Sequence, residues 1–519
     1  MKFFIPLLLI LSSLSLWAET KLPSIFTDNM VLQRDIDVPV FGTDKPGQNI
    51  TVKFAGQTVT GKADDKGNWL IKLTPMKASA TGQKLEIMGS TSKSFSNVLV
   101  GEVWICSGQS NMEWSVAASA NPKEEAKNAN YPLIRHIKVP HINSSYPDKN
   151  SKAGQWTVCS PKTASRFTAV GYYFARKLHK ELGVPIGLIG SNWGGTRVEP
   201  WTPPVGFRSV PELKALSQKV DQWDIQSEFG KKAYLDYIAK LKQWTSQAEA
   251  AVNSGNIPAA QPVMPGPGKS HQEPTKLYNG MIHFMIPYAI RGAIWYQGES
   301  NGNEGISYFH KKKALIQGWR KLWNQGDFPF YFVQLANFQK AIDVPGAGNG
   351  WAKVRMAQTK CLEIPNTGMA VIVDIGEARD IHPKNKQDVG KRLARWALAK
   401  DYKKDIVYSG PIYKSHKVEG NKIRVEFDHV GSGLMAGVKD GLNPTQPDST
   451  GKVKRVAIAG ADKKFYWAEV QIDGNSLIVS SPNVPSPVAV RYAYSMNPEG
   501  CNLYNKEGLP ASPFRTDNW

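Results

Sequence analysis

Two rhythms of apolar residues run along the chain, and the change between them divides it. From residue 21 to 97, β-branched and aromatic residues come in short runs: Val38-Pro-Val-Phe41, Ile50-Thr-Val-Lys-Phe54, Gln57-Thr-Val-Thr60 and Trp69-Leu-Ile-Lys-Leu73. Turn chemistry at Lys45-Pro-Gly47 and Asp64-Asp-Lys-Gly67 separates them, which predicts a small β-sandwich. From Val98 onward, continuous apolar runs alternate with segments whose apolar residues recur every three or four positions. The runs at Val98–Ile105, Ile186–Gly190, Ala293–Tyr296, Phe330–Gln334 and Ala370–Asp374 predict five buried strands. Between them, Phe167, Val170, Phe174, Leu178 and Leu182 share one face of a helix that stops at Gly183. A second helix is predicted from Tyr308 to Trp323, and a third carries Val389, Leu393 and Trp396. Strands alternating with helices imply a parallel, doubly wound α/β sheet.

Residues 205–276 interrupt that alternation. Ser209 and Glu212 have capping-box spacing with Pro211 between them, followed by a helix face of Leu213, Leu216, Val220 and Trp223. Tyr234, Ile238, Leu241 and Trp244 predict a further helix, and Pro258 to Pro267 a rim loop. From about residue 406 the two-residue alternation returns, as in Lys422-Ile-Arg-Val-Glu-Phe427 and Leu477-Ile-Val-Ser480, and predicts a second β domain. The expected division is a β domain over 19–97, a catalytic α/β domain over 98–405 with a helical insertion at 205–276, and a β domain over 406–519.

Residues 1–18 have the organisation of a cleaved secretory signal: Lys2, an apolar run from Phe3 to Leu11, and a small Ala18 before Glu19. That run is too short to span a bilayer. The chain is therefore expected to be periplasmic or secreted, without a membrane anchor. The net charge is +20, but the lysines are scattered and no nucleic-acid-binding motif accompanies them, which argues against a nucleic-acid partner. Cys106, Cys159, Cys361 and Cys501 are available for disulfides in such a compartment, with three possible pairings. No Cys-x-x-Cys or His-x-x-x-His spacing suggests a metal site.

Chemistry gathers where the buried strands end. Ser110 follows the first, Gly194-Gly195 the second, Gln297-Gly-Glu-Ser-Asn301 the third, and Asp380-Ile-His382 lies beyond the last. In an open α/β sheet these ends share one crevice. A serine needs a base and a group that orients the base, and His382 with a carboxylate supplies both. The oxyanion of acyl transfer would meet N–H groups of Ser110 and Gly194 or Gly195, with a side-chain amide from Gln297 or Asn301. Glu299 is either a second catalytic carboxylate or a structural acid. Trp104, Trp193, Trp201 and Trp295 are either core residues or surfaces for sugar rings.

The segments Gly108-Gln-Ser-Asn-Met112, Asn192-Trp-Gly-Gly-Thr-Arg197, Trp295-Tyr-Gln-Gly-Glu-Ser-Asn301 and Asp380-Ile-His-Pro-Lys-Asn385 resemble the sialate O-acetylesterase family of SGNH-type hydrolases. Phe26-Thr-Asp-Asn-Met-Val-Leu-Gln33 and Gly326-Asp-Phe-Pro-Phe-Tyr-Phe332 extend the likeness over nearly all the chain after the signal. The resemblance implies a flavodoxin-like α/β catalytic domain flanked by β-sandwich-like domains, and removal of acetyl groups from sugar hydroxyls without a cofactor. It implies Ser110 as nucleophile and His382 as base. Such enzymes commonly carry the acid three residues before the histidine, where this chain has Arg379. Asp380, Asp374 or a backbone carbonyl remains to orient His382, with Asp380 favoured.

Arg197 offers a fork suited to the carboxylate of sialic acid, or pairs with Glu199 or another acid. The expected substrate is an acetylated glycan, either sialic acid, which the family favours, or a polysaccharide such as xylan. A glycan-binding protein with a vestigial centre is the rival reading, and intact Ser110 and His382 weigh against it.

Overall fold

The computed structural model describes residues 19–519; the expected signal at 1–18 lies outside the described residues. Its backbone is a long strand, β1 (Ser92–Gly108), that serves two sheets in turn. Its first half pairs antiparallel with Ser79–Met88, and Leu99 to Gly101 pair in parallel with Val31–Gln33, within the amino-terminal β region. From Glu102 to Gly108 it becomes the centre of a parallel sheet. The other strands are β2 (Ile134–Lys138), β3 (Ile186–Asn192), β4 (Gly292–Tyr296), β5 (Phe330–Val333) and β6 (Thr367–Ala370). The spatial order is β6-β5-β4-β1-β3-β2, parallel throughout. A short antiparallel strand, Thr157–Val158, pairs with β2 at that edge; setting aside these two, this is flavodoxin-like order, and β1 stands at its switch point between β3 and β4.

The main helices are α1 (Ala169–Leu182), α2 (Glu228–Asn253), α3 (Ile306–Trp323), α4 (Trp351–Lys360) and α5 (Lys386–Lys400). Side chains of a strand alternate between faces, and β1 shows what each face buries. Trp104 and Cys106 enter a core with Phe174 and Leu178 of α1 and Val389 and Leu393 of α5. Val103 and Ile105 enter the opposite core, with Leu315 and Trp319 of α3. The sheet is thus covered by helices on both faces, and α1 stops at Gly183, whose φ of 69° ends the helix as its sequence position predicts. Beyond residue 406 the chain forms antiparallel sheets, one ordered Ile412–Glu419, Lys422–Asp428, Ser476–Ser480 and Glu469–Asp473.

Four local expectations are corrected. The last strand ends at Ala370, because Arg392 of α5 takes the Val371 carbonyl and both oxygens of Asp374, drawing 371–374 off the sheet. Ser209 and Glu212 form no capping box: the Ser209 hydroxyl donates to the Gly206 carbonyl at 2.7 Å, closing the preceding helical turn instead. In α2, Ile238 is exposed while Tyr234, Tyr237, Leu241 and Trp244 share the partly covered face. All four cysteines are buried and unpaired, so no disulfide forms. No described helix is long and apolar enough to cross a membrane.

Candidate active site

The position of Ser110 is set by two constraints at the end of β1. Gly108 has φ of +130°, and a Cβ there would stand 2.2 Å from the Tyr296 carbonyl oxygen, so only glycine lets β1 close on β4. The next N–H, of Gln109, donates to that same carbonyl at 3.0 Å. The chain then turns into the short helix Ser110–Glu113, leaving Ser110 in the crevice beyond the sheet.

His382 reaches it from the loop between β6 and α5. Its Nε2 lies 2.9 Å from Ser110 Oγ, within the distance that proton transfer requires. Three contacts hold the imidazole. Trp114 stacks on it with ring centroids 4.4 Å apart. Asp380 Oδ1 accepts the His382 backbone N–H at 2.9 Å and stands 3.4 Å from Nδ1. Asn111 Nδ2 donates to the Ile381 carbonyl at 3.0 Å, fixing the backbone just before the histidine. Burial and the nearby Lys386 charge lower the His382 pKa, while Asp380 raises it and leaves a net depression. Asp380 is held below the usual carboxylate range by its hydrogen bonds with Lys384 and the His382 backbone. Asp374, the other candidate acid, is locked bidentate to Arg392 at 2.7 Å and does not orient His382.

Asn111 also joins two buried ionisable groups. It donates to Glu299 Oε1 at 2.7 Å and accepts from Lys386 Nζ. Burial raises the Glu299 carboxyl and pushes Lys386 down to about 7. Glu299 is thus a partner of Asn111 rather than of the imidazole.

The Gly194-Gly195 turn packs against Ser110, with the position of a Gly194 Cβ only 3.3 Å from Ser110 Cβ. Its first N–H is occupied, donating to Glu113 Oε2 at 2.9 Å. The same carboxylate meets His141 at 2.8 Å and Lys138 at 3.2 Å. Gln272, at the end of the insertion, pins the turn by accepting from Arg197 N–H at 3.0 Å and donating to the Gly195 carbonyl at 2.8 Å.

The two side-chain amides expected at the oxyanion are committed elsewhere. Gln297 Nε2 donates to Asn301 Oδ1 at 2.7 Å and the Thr196 carbonyl at 3.2 Å, and its Oε1 accepts from Tyr308 at 3.0 Å. Asn301 accepts from Val198 N–H and donates to Glu199, both at 3.1 Å. Both residues tie the second glycine-containing block to the third. Arg197 is also engaged, with Glu304 and, at 3.4 Å, Glu199; Lys311 bridges those two acids at 2.6 Å each. Trp104, Trp201 and Trp295 are core, whereas Trp193 is half-buried between the rings of His141 and His271.

The sequence pattern brought Ser110, His382, Asp380 and the glycine turn to one place, and assigned nothing to Trp114, Glu113, Asn111 or Gln272. Asn111 stands inside a recognised motif; the others carry no periodic or spacing signal.

Residues 261–399 match the family described as carbohydrate esterase, sialic acid-specific acetylesterase. The sialate O-acetylesterase of Rattus norvegicus is 30% identical, with 94% of this chain aligned to 93% of the relative. The chain belongs to the sialate O-acetylesterase family. The Mus musculus sialate O-acetylesterase is 28% identical over the same share of both chains. A carbohydrate acetylesterase from Xanthomonas citri, 36% identical, superposes with a TM-score of 0.79 over 96% of this chain and all of its own. Family membership makes the chain a carboxylic ester hydrolase, and its sheet order and flanking β regions share that architecture.

Proposed function

We propose that this chain is an exported serine esterase that removes O-acetyl groups from carbohydrates through an acetyl enzyme on Ser110. The 2.9 Å contact between Ser110 Oγ and His382 Nε2 at the sheet's switch point carries the reading. His382 takes the Ser110 proton as Oγ bonds the acetyl carbonyl carbon. It returns that proton to the departing sugar oxygen as the ester bond breaks. Water then attacks the acetyl group, His382 takes its proton, and acetate leaves with Ser110 restored. Asp380 orients the imidazole and stabilises its cation, loosely, because it is shared with Lys384.

With Gln297 and Asn301 committed, the oxyanion falls to backbone N–H groups of Ser110 and the glycine turn. Export rests on the signal pattern of residues 1–18.

The names of the mammalian relatives favour O-acetyl sialic acid as substrate. The engagement of Arg197 by Glu304 and Glu199 favours a second reading, an acetylated neutral polysaccharide. Acetate release by the protein and its Ser110→Ala variant tests the mechanism, on O-acetylated sialoglycan, acetylated xylan and p-nitrophenyl acetate. Release by the parent alone is expected; equal release by both proteins would remove Ser110 from the reaction.

A further inference from the structure

Lys386 opens α5 and is fully buried, two unfavourable placements for a cation. A helix N-terminus carries the positive end of the helix dipole, and burial strips the ammonium of water. Its Nζ donates to Asn111 Oδ1 and stands 5.2 Å from the centre of the Tyr296 ring, and no carboxylate contacts it directly among the described residues. We propose that Lys386 is a positioning residue that acts through His382, its charge driving the imidazole's proton onto the departing sugar oxygen, an inference that rests on the serine esterase reading.

One amide ties this charge to the reacting groups. Asn111 follows Ser110, and while its oxygen takes Lys386, its nitrogen donates to Glu299 Oε1 at 2.7 Å and to the Ile381 carbonyl at 3.0 Å. Ile381 immediately precedes His382. With both its donors and its acceptor engaged, the amide is fixed in orientation, and Lys386 is held behind the Ser110–His382 pair.

The other charged groups facing the imidazole have partners of their own. On its loop, Asp380 stands 3.4 Å from Nδ1, but Lys384 holds the same carboxylate. Glu377 accepts the Lys384 backbone N–H at 2.7 Å, and Arg379 is exposed. From the turn after β1, Glu113 is engaged by Gly194, His141 and Lys138. From β4 and the turn after it come Tyr296, which burial keeps neutral, and Glu299, whose carboxyl burial raises. Lys386 is left as the charge without a direct counter-ion. The depressed pKa of His382 agrees: burial contributes most and Lys386 next. Burial brings Lys386 itself down to about 7, so it is charged over the range in which the imidazole gains its proton.

The consequence falls on one step. As the tetrahedral adduct on Ser110 collapses, the bond from the acetyl carbon to the sugar oxygen breaks. Its electron pair goes to that oxygen, which takes the proton from His382 Nε2 and leaves a neutral imidazole. A sugar alkoxide is a poor leaving group and needs this proton, whereas p-nitrophenolate leaves without it. A cation beside the imidazolium disfavours its charge and so drives the transfer, at some loss of basicity toward Ser110.

The test compares glycerol triacetate, an alkyl ester that asks for no glycan recognition, with p-nitrophenyl acetate. The measured quantity is kcat/KM against pH, which reports acylation on both. In Lys386→Met the acid limb on p-nitrophenyl acetate should move up, and kcat/KM for the triacetate relative to p-nitrophenyl acetate should fall about 3-fold. Lys386→Gln keeps a donor for Asn111 Oδ1 without the charge and should do the same, so the result does not hang on one variant's folding. A merely structural role would lower both substrates together and leave the limb in place; that result, or an unchanged ratio, overturns the proposal and leaves the esterase reading standing. Activity that survives Ser110→Ala overturns the serine reading, and the proposal falls with it.

Discussion

Trp114 lies flat against His382, its ring plane 11° from parallel to the imidazole. The indole is itself fixed by a hydrogen bond from Nε1 to the Ala118 carbonyl at 2.6 Å. On the proposed mechanism, this positioning surface does part of the work that a carboxylate contact does in a serine triad. Replacing Trp114 by Ala should lower kcat on p-nitrophenyl acetate by about 2- to 13-fold, the equivalent of the ~0.5–1.5 kcal/mol of an aromatic pair. Trp114→Phe should restore most of it. Thermal midpoints recorded beside the rates would show whether the loss is local; a full-rate Trp114→Ala enzyme would remove the role.

The acid limb of the pH–rate profile should lie below the ordinary histidine value of about 6.5. The base must be neutral to accept the Ser110 proton, so activity is lost as pH falls through the His382 pKa, and burial with Lys386 depresses that pKa. Asp380 opposes the depression. Asp380→Asn should therefore move the limb further down, at a rate cost well under the ~10⁴-fold of a buried triad aspartate. A profile of kcat/KM against pH checks both parts; a limb that moves up would contradict the role given to Asp380.

Gln297→Ala and Asn301→Ala should act on stability first. Gln297→Ala leaves the buried Thr196 carbonyl unpaired and Asn301→Ala leaves the buried Val198 N–H unpaired, at about 1–3 kcal/mol per group. Denaturant unfolding should show the loss, with kcat reduced less than the ~100-fold of a lost oxyanion donor. A 100-fold fall in kcat with unchanged stability would return these amides to the reaction.

Gly108→Ala should yield a protein destabilised by about 3 kcal/mol or more, since the new methyl would overlap the Tyr296 carbonyl in a backbone region closed to alanine. Soluble yield and thermal midpoint measure this, and a variant of parental stability would show that β1 and β4 can part without penalty.

Strand ends were legible because apolar runs and glycines obey local rules. Val98–Ile105 could only be a buried segment, and residues just past the end of such a segment in an α/β sheet face the crevice. That placement and the motif resemblance together anticipated the proximity of Ser110 and His382. Trp114 and Glu113 were not legible, because their roles depend on loops brought in from positions 382 and 194. Gln297 and Asn301 misled for a related reason. An amide near a strand end has the chemistry of an oxyanion donor, and only the partners around it reveal that Thr196, Val198 and Glu199 have already claimed it. Asp374 was similar: its carboxylate is satisfied by Arg392, one helix away. Charge complementarity across distant segments leaves no periodic trace in sequence.

The 17 residues of β1 act as a single beam through two sheets, with the amino-terminal β region bonded to one end and Ser110 mounted just past the other. A cut between residues 97 and 98 would sever the beam rather than a linker. Those who wish to shorten this enzyme, or graft its esterase onto another carrier, must therefore take the first β region along. Mechanically it is the fixed end of a cantilever, and the Ser110 hydroxyl rides on the tip.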